Sequence, residues 1–157
     1  MLIQPTYTCF GAAQRVTGSK HLITSSLGTK ILLDCGLVQG EGAEGDDLNR
    51  HWGFEPSSID CVILSHAHID HTGLLPRLVR DGFTGPIYCN SATKDLCNMM
   101  LLDSAHIQES DLMRVNKRRL ARGEDPIEPL YKEIDVVNTL SQMEVVEDES
   151  WFSIDEL

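Results

Sequence analysis

Residues Ser65-His66-Ala67-His68-Ile69-Asp70-His71 place four candidate metal donors directly after the apolar run Asp60-Cys61-Val62-Ile63-Leu64. A short apolar run that ends in a polar cluster is the pattern of a buried strand delivering its last residues to a site. In extended backbone, residues two apart leave the same face, so this spacing is expected to send His66, His68 and Asp70 the same way. His71, at the threshold of a helix expected over Thr72 to Arg80, should point elsewhere and reach a second ion beside the first. Two imidazoles suit a borderline divalent cation such as zinc, and a carboxylate with a further imidazole suits another, at nitrogen-to-metal distances of about 2.0 to 2.1 Å. Two cations about 3.5 to 4 Å apart can hold a water, lower its pKa and orient it for in-line attack. Hydrolysis is the natural use, with Asp70 placed to take the proton from that water. Half of the six histidines fall within these six positions, which scattered surface histidines would not do.

The flanking sequence supplies the scaffold. Leu2 to Cys9, Lys20 to Ser25 and Thr29 to Asp34 read as a strand followed by a hairpin, with Ser26-Leu27-Gly28 as its turn. Gly36 to Asn49 mixes Gly40, Gly42 and Gly45 with acidic residues, shows no apolar period, and is expected to be a mobile surface loop. Pro86 to Cys89 reads as another strand, with Ser91 as N-cap of a helix that starts at Ala92 and runs to about Ser110. A basic run follows, Arg114, Lys117, Arg118, Arg119 and Arg122, before Gly123, Pro126 and Pro129. It either meets phosphates or forms a solvated helix face. A short helix near Glu133 to Leu140 and a strand near Glu144 to Glu147 complete the pattern.

Asp34 closes the run Lys30-Ile31-Leu32-Leu33-Asp34-Cys35-Gly36. A carboxylate at a strand end could accept an N–H from a metal-bound imidazole and fix its tautomer. It could equally be an ordinary turn aspartate before a glycine. Cys35, His21, His51 and His106 are expected to pack or to lie on the surface rather than bind metal.

Composition narrows the class. A chain of 157 residues with 41% apolar content is expected to bury one core. No stretch approaches the roughly 20 apolar residues that span a bilayer, and Met1-Leu2-Ile3-Gln4-Pro5 lacks the features of an export signal. Five scattered cysteines without a Cys-x-x-Cys pair point to reduced thiols and a cytoplasmic protein. The formal charge of −11 argues against broad nucleic-acid binding. It does not exclude a nuclease, because two divalent cations would reverse the field where a phosphodiester must sit.

Ser65-His66-Ala67-His68-Ile69-Asp70-His71-Thr72-Gly73 resembles the signature of the metallo-β-lactamase superfamily, and Leu32-Leu33-Asp34-Cys35-Gly36 resembles its upstream aspartate motif. Phe10-Gly11-Ala12-Ala13-Gln14-Arg15-Val16-Thr17-Gly18-Ser19 resembles the opening loop of the β-CASP branch of RNA-processing nucleases. Gly85-Pro86-Ile87-Tyr88, with the long helix through Leu102-Asp103-Ser104-Ala105, is similar to its bacterial members. The resemblance implies an α/β fold, the N-terminal half of an αββα sandwich, with a mixed sheet, flanking helices and metals at one edge. It implies His66 and His68 as ligands of one divalent ion, Asp70 and His71 as ligands of a second, and Asp34 as their support.

Members of that branch are longer. Their third histidine for the first metal, a bridging aspartate and the β-CASP insert have no counterpart in residues 1–157, which are therefore expected to form an incomplete domain without the insert. Two ligands per ion fall short of the three that hydrolytic zinc normally keeps, and a sheet face without its partner sheet would favour self-association. The leading expectation is the N-terminal part of a metal-dependent hydrolase that cleaves single-stranded RNA with a metal-activated water. The alternatives are a hydrolase of small esters or thioesters, and a catalytically silent remnant that acts by association.

Overall fold

The computed structural model describes residues 3–154, so Leu2, the expected start of the first strand, lies outside the described residues. Six strands form one mixed sheet in chain order: β1 (Thr6–Gly11), β2 (Lys20–Thr24), β3 (Lys30–Leu33), β4 (Cys61–Ile63), β5 (Ile87–Cys89) and β6 (Met143–Val145). β1, β2 and β3 pair antiparallel, joined by residues 12–19 and by the short turn at residues 25–29. β3 to β6 pair in parallel, which requires a crossover between each pair.

The crossovers carry the helices: α1 (Gly42–Arg50), α2 (Ile69–Thr72), α3 (Leu75–Arg80), α4 (Ser91–Ala121) and α5 (Glu133–Ser141). The cross-strand register sets Leu22, Leu32, Val62, Ile87 and Met143 in one row. That row packs with Leu75 and Leu78 of α3, Cys97 and Leu101 of α4, and Val136 of α5 in a single core. The adjacent row, His21, Leu33, Ile63, Tyr88 and Glu144, points to the opposite face and stays half-buried or exposed. Among the described residues it is met by Phe152, whose ring lies 5.0 Å from that of Tyr88. No helix is long and apolar enough to cross a membrane among the described residues.

Several elements differ from the sequence expectation. Residues 42–49 of the expected loop fall in α1, which ends at Arg50. Its support is tertiary: the Asn49 side chain accepts from the Val38 N–H and donates to the Val38 carbonyl, at 2.8 and 2.9 Å. The Arg77 guanidinium donates to the Asn49 and Arg50 carbonyls that the helix end leaves open. The helix expected over Thr72 to Arg80 is two pieces, because Pro76 has no N–H to return to Thr72 and instead opens α3.

The cap of α4 is Asn90, whose side chain accepts from the Thr93 N–H at 2.8 Å, rather than Ser91. That helix also continues through the basic run to Ala121, and Gly123, with φ of 71°, lies just beyond its end. The last strand lies at Met143–Val145, slightly before its expected place.

Cys35, Cys61, Cys89 and Cys97 are buried free thiols, and Cys9 is an exposed one. Burial pushes the Cys35 thiol up from 9.0 to about 12, and the Cys61 and Cys97 thiols to about 11. The folded state keeps these protons where the unfolded chain releases them. The associated stability is therefore complete below pH 9 and is lost as pH climbs toward 11 to 12. Urea unfolding should show stability falling between pH 8.5 and 10.5, and Cys97→Ala should make that fall shallower.

Candidate metal centre

The site forms where the ends of β3 and β4 meet α2. Asp34, directly after β3, has φ of 59°, a left-handed conformation that aspartate tolerates better than most residues. Its carboxylate is 6% exposed and is surrounded by donors. It accepts from the Ser65 N–H at 2.9 Å, from the Ser65 hydroxyl at 2.9 and 3.0 Å, and from the Ser19 hydroxyl at 3.1 Å. His71 Nδ1 lies 2.8 Å from Asp34 Oδ2. An ionised carboxylate only accepts, so this contact places the proton on Nδ1 and leaves the Nε2 lone pair of His71 free to bind a cation. The contact with His71 fits the orienting role for Asp34, while its left-handed backbone also suits a turn before Gly36.

The four candidate donors lie on two kinds of backbone. His66 and His68 belong to the turn after β4, whereas Asp70 and His71 are in α2. The expectation that His66, His68 and Asp70 leave one face of an extended segment is thus corrected, because the chain turns helical at Ile69. His71 likewise does not point away from His66: their ring centroids are 4.0 Å apart, and those of His66 and His68 are 4.6 Å apart. Ser65 Oγ lies 2.9 Å from His66 Nδ1, so one hydroxyl touches both Asp34 and a candidate ligand. His68 is exposed, while His66, Asp70 and His71 are half-buried.

His71 Nε2 and Asp70 Oδ2 stand 3.5 Å apart. Two donors each about 2.1 Å from one tetrahedral ion are separated by roughly 3.4 Å, so this pair fits a shared divalent cation. Among the described residues, no group of three or more His, Cys, Asp or Glu side chains is arranged to hold a metal ion.

A backbone seam fixes these positions. Cys35 N–H donates to the His71 carbonyl, Leu37 N–H to Ile69, Ser19 N–H to Asp70, and Gly36 N–H to Ser19, at 2.8 to 3.1 Å. A Cβ on Gly36 would fall 1.6 Å from the Asp70 carbonyl oxygen, so only glycine permits the approach. Lys20, 3% exposed, donates from Nζ to the Gly36 carbonyl at 3.1 Å, and its burial lowers its pKa. The sequence reading missed Lys20, whose place on a strand carries no sign of burial. It also gave no role to Ser65 and Ser19, although both lie inside the quoted motifs.

The sequence profile of the metallo-beta-lactamase superfamily matches residues 19–140. The chain belongs to the metallo-beta-lactamase superfamily. It is 43% identical over 102 residues to "Ribonuclease TTHA0252" of Thermus thermophilus, covering 64% of this chain and 22% of that protein. It is 37% identical over 92 residues to "Transcription termination factor FttA" of Cenarchaeum symbiosum, covering 57% of this chain and 14% of that protein. "Cleavage and polyadenylation specificity factor subunit 3-II" of Arabidopsis thaliana is 31% identical over 155 residues, covering 93% of this chain and 22% of that protein. The chain thus spans between about a seventh and a quarter of the length of these relatives. Their names agree with the RNA-processing branch that the Phe10 to Ser19 stretch resembles. Among solved structures, MEM-A1, a subclass B3 metallo-beta-lactamase from a soil metagenome library, matches with a TM-score of 0.51 and 18% identity, over 98% of this chain and 50% of that one. This likeness supports the fold.

Gly36→Ala should lower stability by more than about 3 kcal/mol or prevent folding, because backbone must move on both sides of the seam. Ala12→Gly, at a left-handed position with φ of 52°, should be neutral or slightly stabilising. Thermal unfolding of both variants checks the contrast.

Proposed function

We propose that this chain is the N-terminal part of a metal-dependent ribonuclease of the β-CASP branch, which cleaves phosphodiesters of single-stranded RNA. The observation that carries the reading is the Asp34–His71–Asp70 relay, in which one carboxylate orients an imidazole whose free nitrogen lies 3.5 Å from a second carboxylate. Superfamily membership and the names of the relatives support it. In this reading His66 and His68 hold one divalent ion, and Asp70 and His71 hold another. Zinc suits this mixture of imidazole and carboxylate.

The cations would supply Lewis acidity, neutralising phosphate charge and making water acidic enough to ionise near neutral pH. The remaining work falls to the protein. Asp70 accepts the proton of the attacking water, and Asp34 holds His71 in one tautomer. Ser65 and Ser19 keep Asp34 in place. The free thiols fit a reducing compartment, and a cytoplasmic location belongs to this proposal.

Asp70→Asn should reduce cleavage of a single-stranded RNA by on the order of a hundredfold or more while leaving the fold unchanged by circular dichroism. Retained cleavage would remove Asp70 as the base. Activity toward a chromogenic ester without activity on RNA would favour the small-ester reading.

The half-buried row Leu33, Ile63 and Tyr88 favours a second element of the proposal, self-association through the second sheet face. Sedimentation velocity should show a concentration-dependent dimer that Ile63→Glu abolishes. A monomer at all concentrations would count against it.

A further inference from the structure

The buried residues of α4 are Thr93, Cys97, Leu101 and Ala105, one stripe at four-residue spacing. No residue of the helix beyond Ala105 is buried. At 1.5 Å per residue its 31 residues span roughly 46 Å, whereas a compact domain of this size has a radius of gyration of only about 15 Å. The second half of α4 is therefore an arm that extends past the core. Asn116 props it by gripping both backbone groups of Ile127 at 2.8 Å. Arg119 adds bonds to the Asp125 carbonyl at 2.7 Å and to Glu124 at 2.9 Å.

Five of the thirteen basic residues of the chain lie on positions 113–122, with no acidic residue among them, in a chain of net charge −11. Arg119 is occupied, but the side chains of Arg114, Lys117, Arg118 and Arg122 are exposed and, among the described residues, form no ion pair or hydrogen bond. Arg114 and Arg118 stand one above the other about 6 Å apart along the axis, with Lys117 beside them. The helix dipole favours cations in its last turn, which accounts for Arg118 and Arg122. Arg114 is two turns from the end, and the like-charge pair Arg114 and Arg118 disfavours the helix. Asp111 lies one turn before Arg114, yet among the described residues the two form no ion pair, and the rest of the stripe has no acidic neighbour within the helix, so its counter-charge comes from outside.

We propose that this arm docks the sugar-phosphate backbone of single-stranded RNA. The choice of RNA over another polyanion rests on the ribonuclease reading above. The stripe offers point and fork charges and no aromatic platform, so it holds the strand without reading its sequence. It gives a chain of strongly acidic balance one surface that a polyanion can approach.

The test is anisotropy binding of a fluorescent 20-nucleotide oligo(U) in EDTA, from 50 to 200 mM KCl. The protein is compared with the triple variant Arg114→Gln, Lys117→Gln, Arg118→Gln. All three positions are exposed, and helicity is checked by circular dichroism. Each neutralised phosphate contributes about 0.7 to the slope of log K against log salt. The variant should therefore bind on the order of tenfold more weakly, with a slope smaller by about 2. Arg114→Lys with Arg118→Lys should retain both properties.

Unchanged affinity and slope in the triple variant would overturn the proposal. So would binding to phosphatidylserine vesicles without binding to oligo(U). RNA cleavage with arm-independent binding would remove the arm and spare the ribonuclease reading. Arm-dependent binding without cleavage would do the reverse.

Discussion

The carboxylate of Asp34 joins three parts of the chain that are distant in sequence. It sits at the end of β3 and receives hydroxyls from the strap before β2 and from the end of β4, while its remaining contact is with the His71 ring on α2. A buried carboxylate must have its oxygens satisfied, and each acceptor left without a donor costs about 1 to 3 kcal/mol. The parallel pairing of β3 and β4 brings those donors to it. Aligning the two strand ends with Leu33 opposite Ile63 places Ser65 over Asp34, and the Ser65 N–H closes the gap. The geometry is thus a consequence of sheet register, and the carboxylate that contacts the imidazole also ties together the ends of the two central strands, β3 and β4.

Gly36 is the complementary steric constraint. The chain leaving β3 runs against α2 closely enough to exchange backbone hydrogen bonds with it, which a side chain at this position would prevent. A four-residue helix has little stability of its own. α2 persists because Ser19, Cys35 and Leu37 donate to its carbonyls and because the Thr72 hydroxyl bonds back to Ala67 and His68. Asp70 and His71 are held by backbone contacts rather than by helix propensity, which leaves their side chains free for chemistry.

The pattern of apolar residues located the strands to within a few residues, because alternation along a strand is a local property. It misjudged elements whose stability comes from elsewhere. α1 carries five of its expected loop's glycine and acidic signals, Gly42, Glu44, Gly45, Asp46 and Asp47, yet folds because Asn49 and Arg77 satisfy groups across space. The sequence pattern ends α4 near Ser110, shortly after the buried stripe ceases at Ala105. Good helix formers such as Arg, Lys, Leu and Ala carry the helix on without a core to cover.

The sequence by itself determined the kind of candidate site: imidazoles and carboxylates at His66, His68, Asp70 and His71, with an aspartate upstream and a glycine near it. These are matters of residue type and spacing, which chemistry reads directly. Only the tertiary structure decided how the donors face one another. It turned the chain helical at Ile69, drew the His71 ring toward His66, brought the Asp34 carboxylate to His71 Nδ1, and buried Lys20 beneath the seam. Each of these depends on contacts between residues far apart in the chain, and a one-dimensional pattern holds no record of which distant atoms will be close enough to bond.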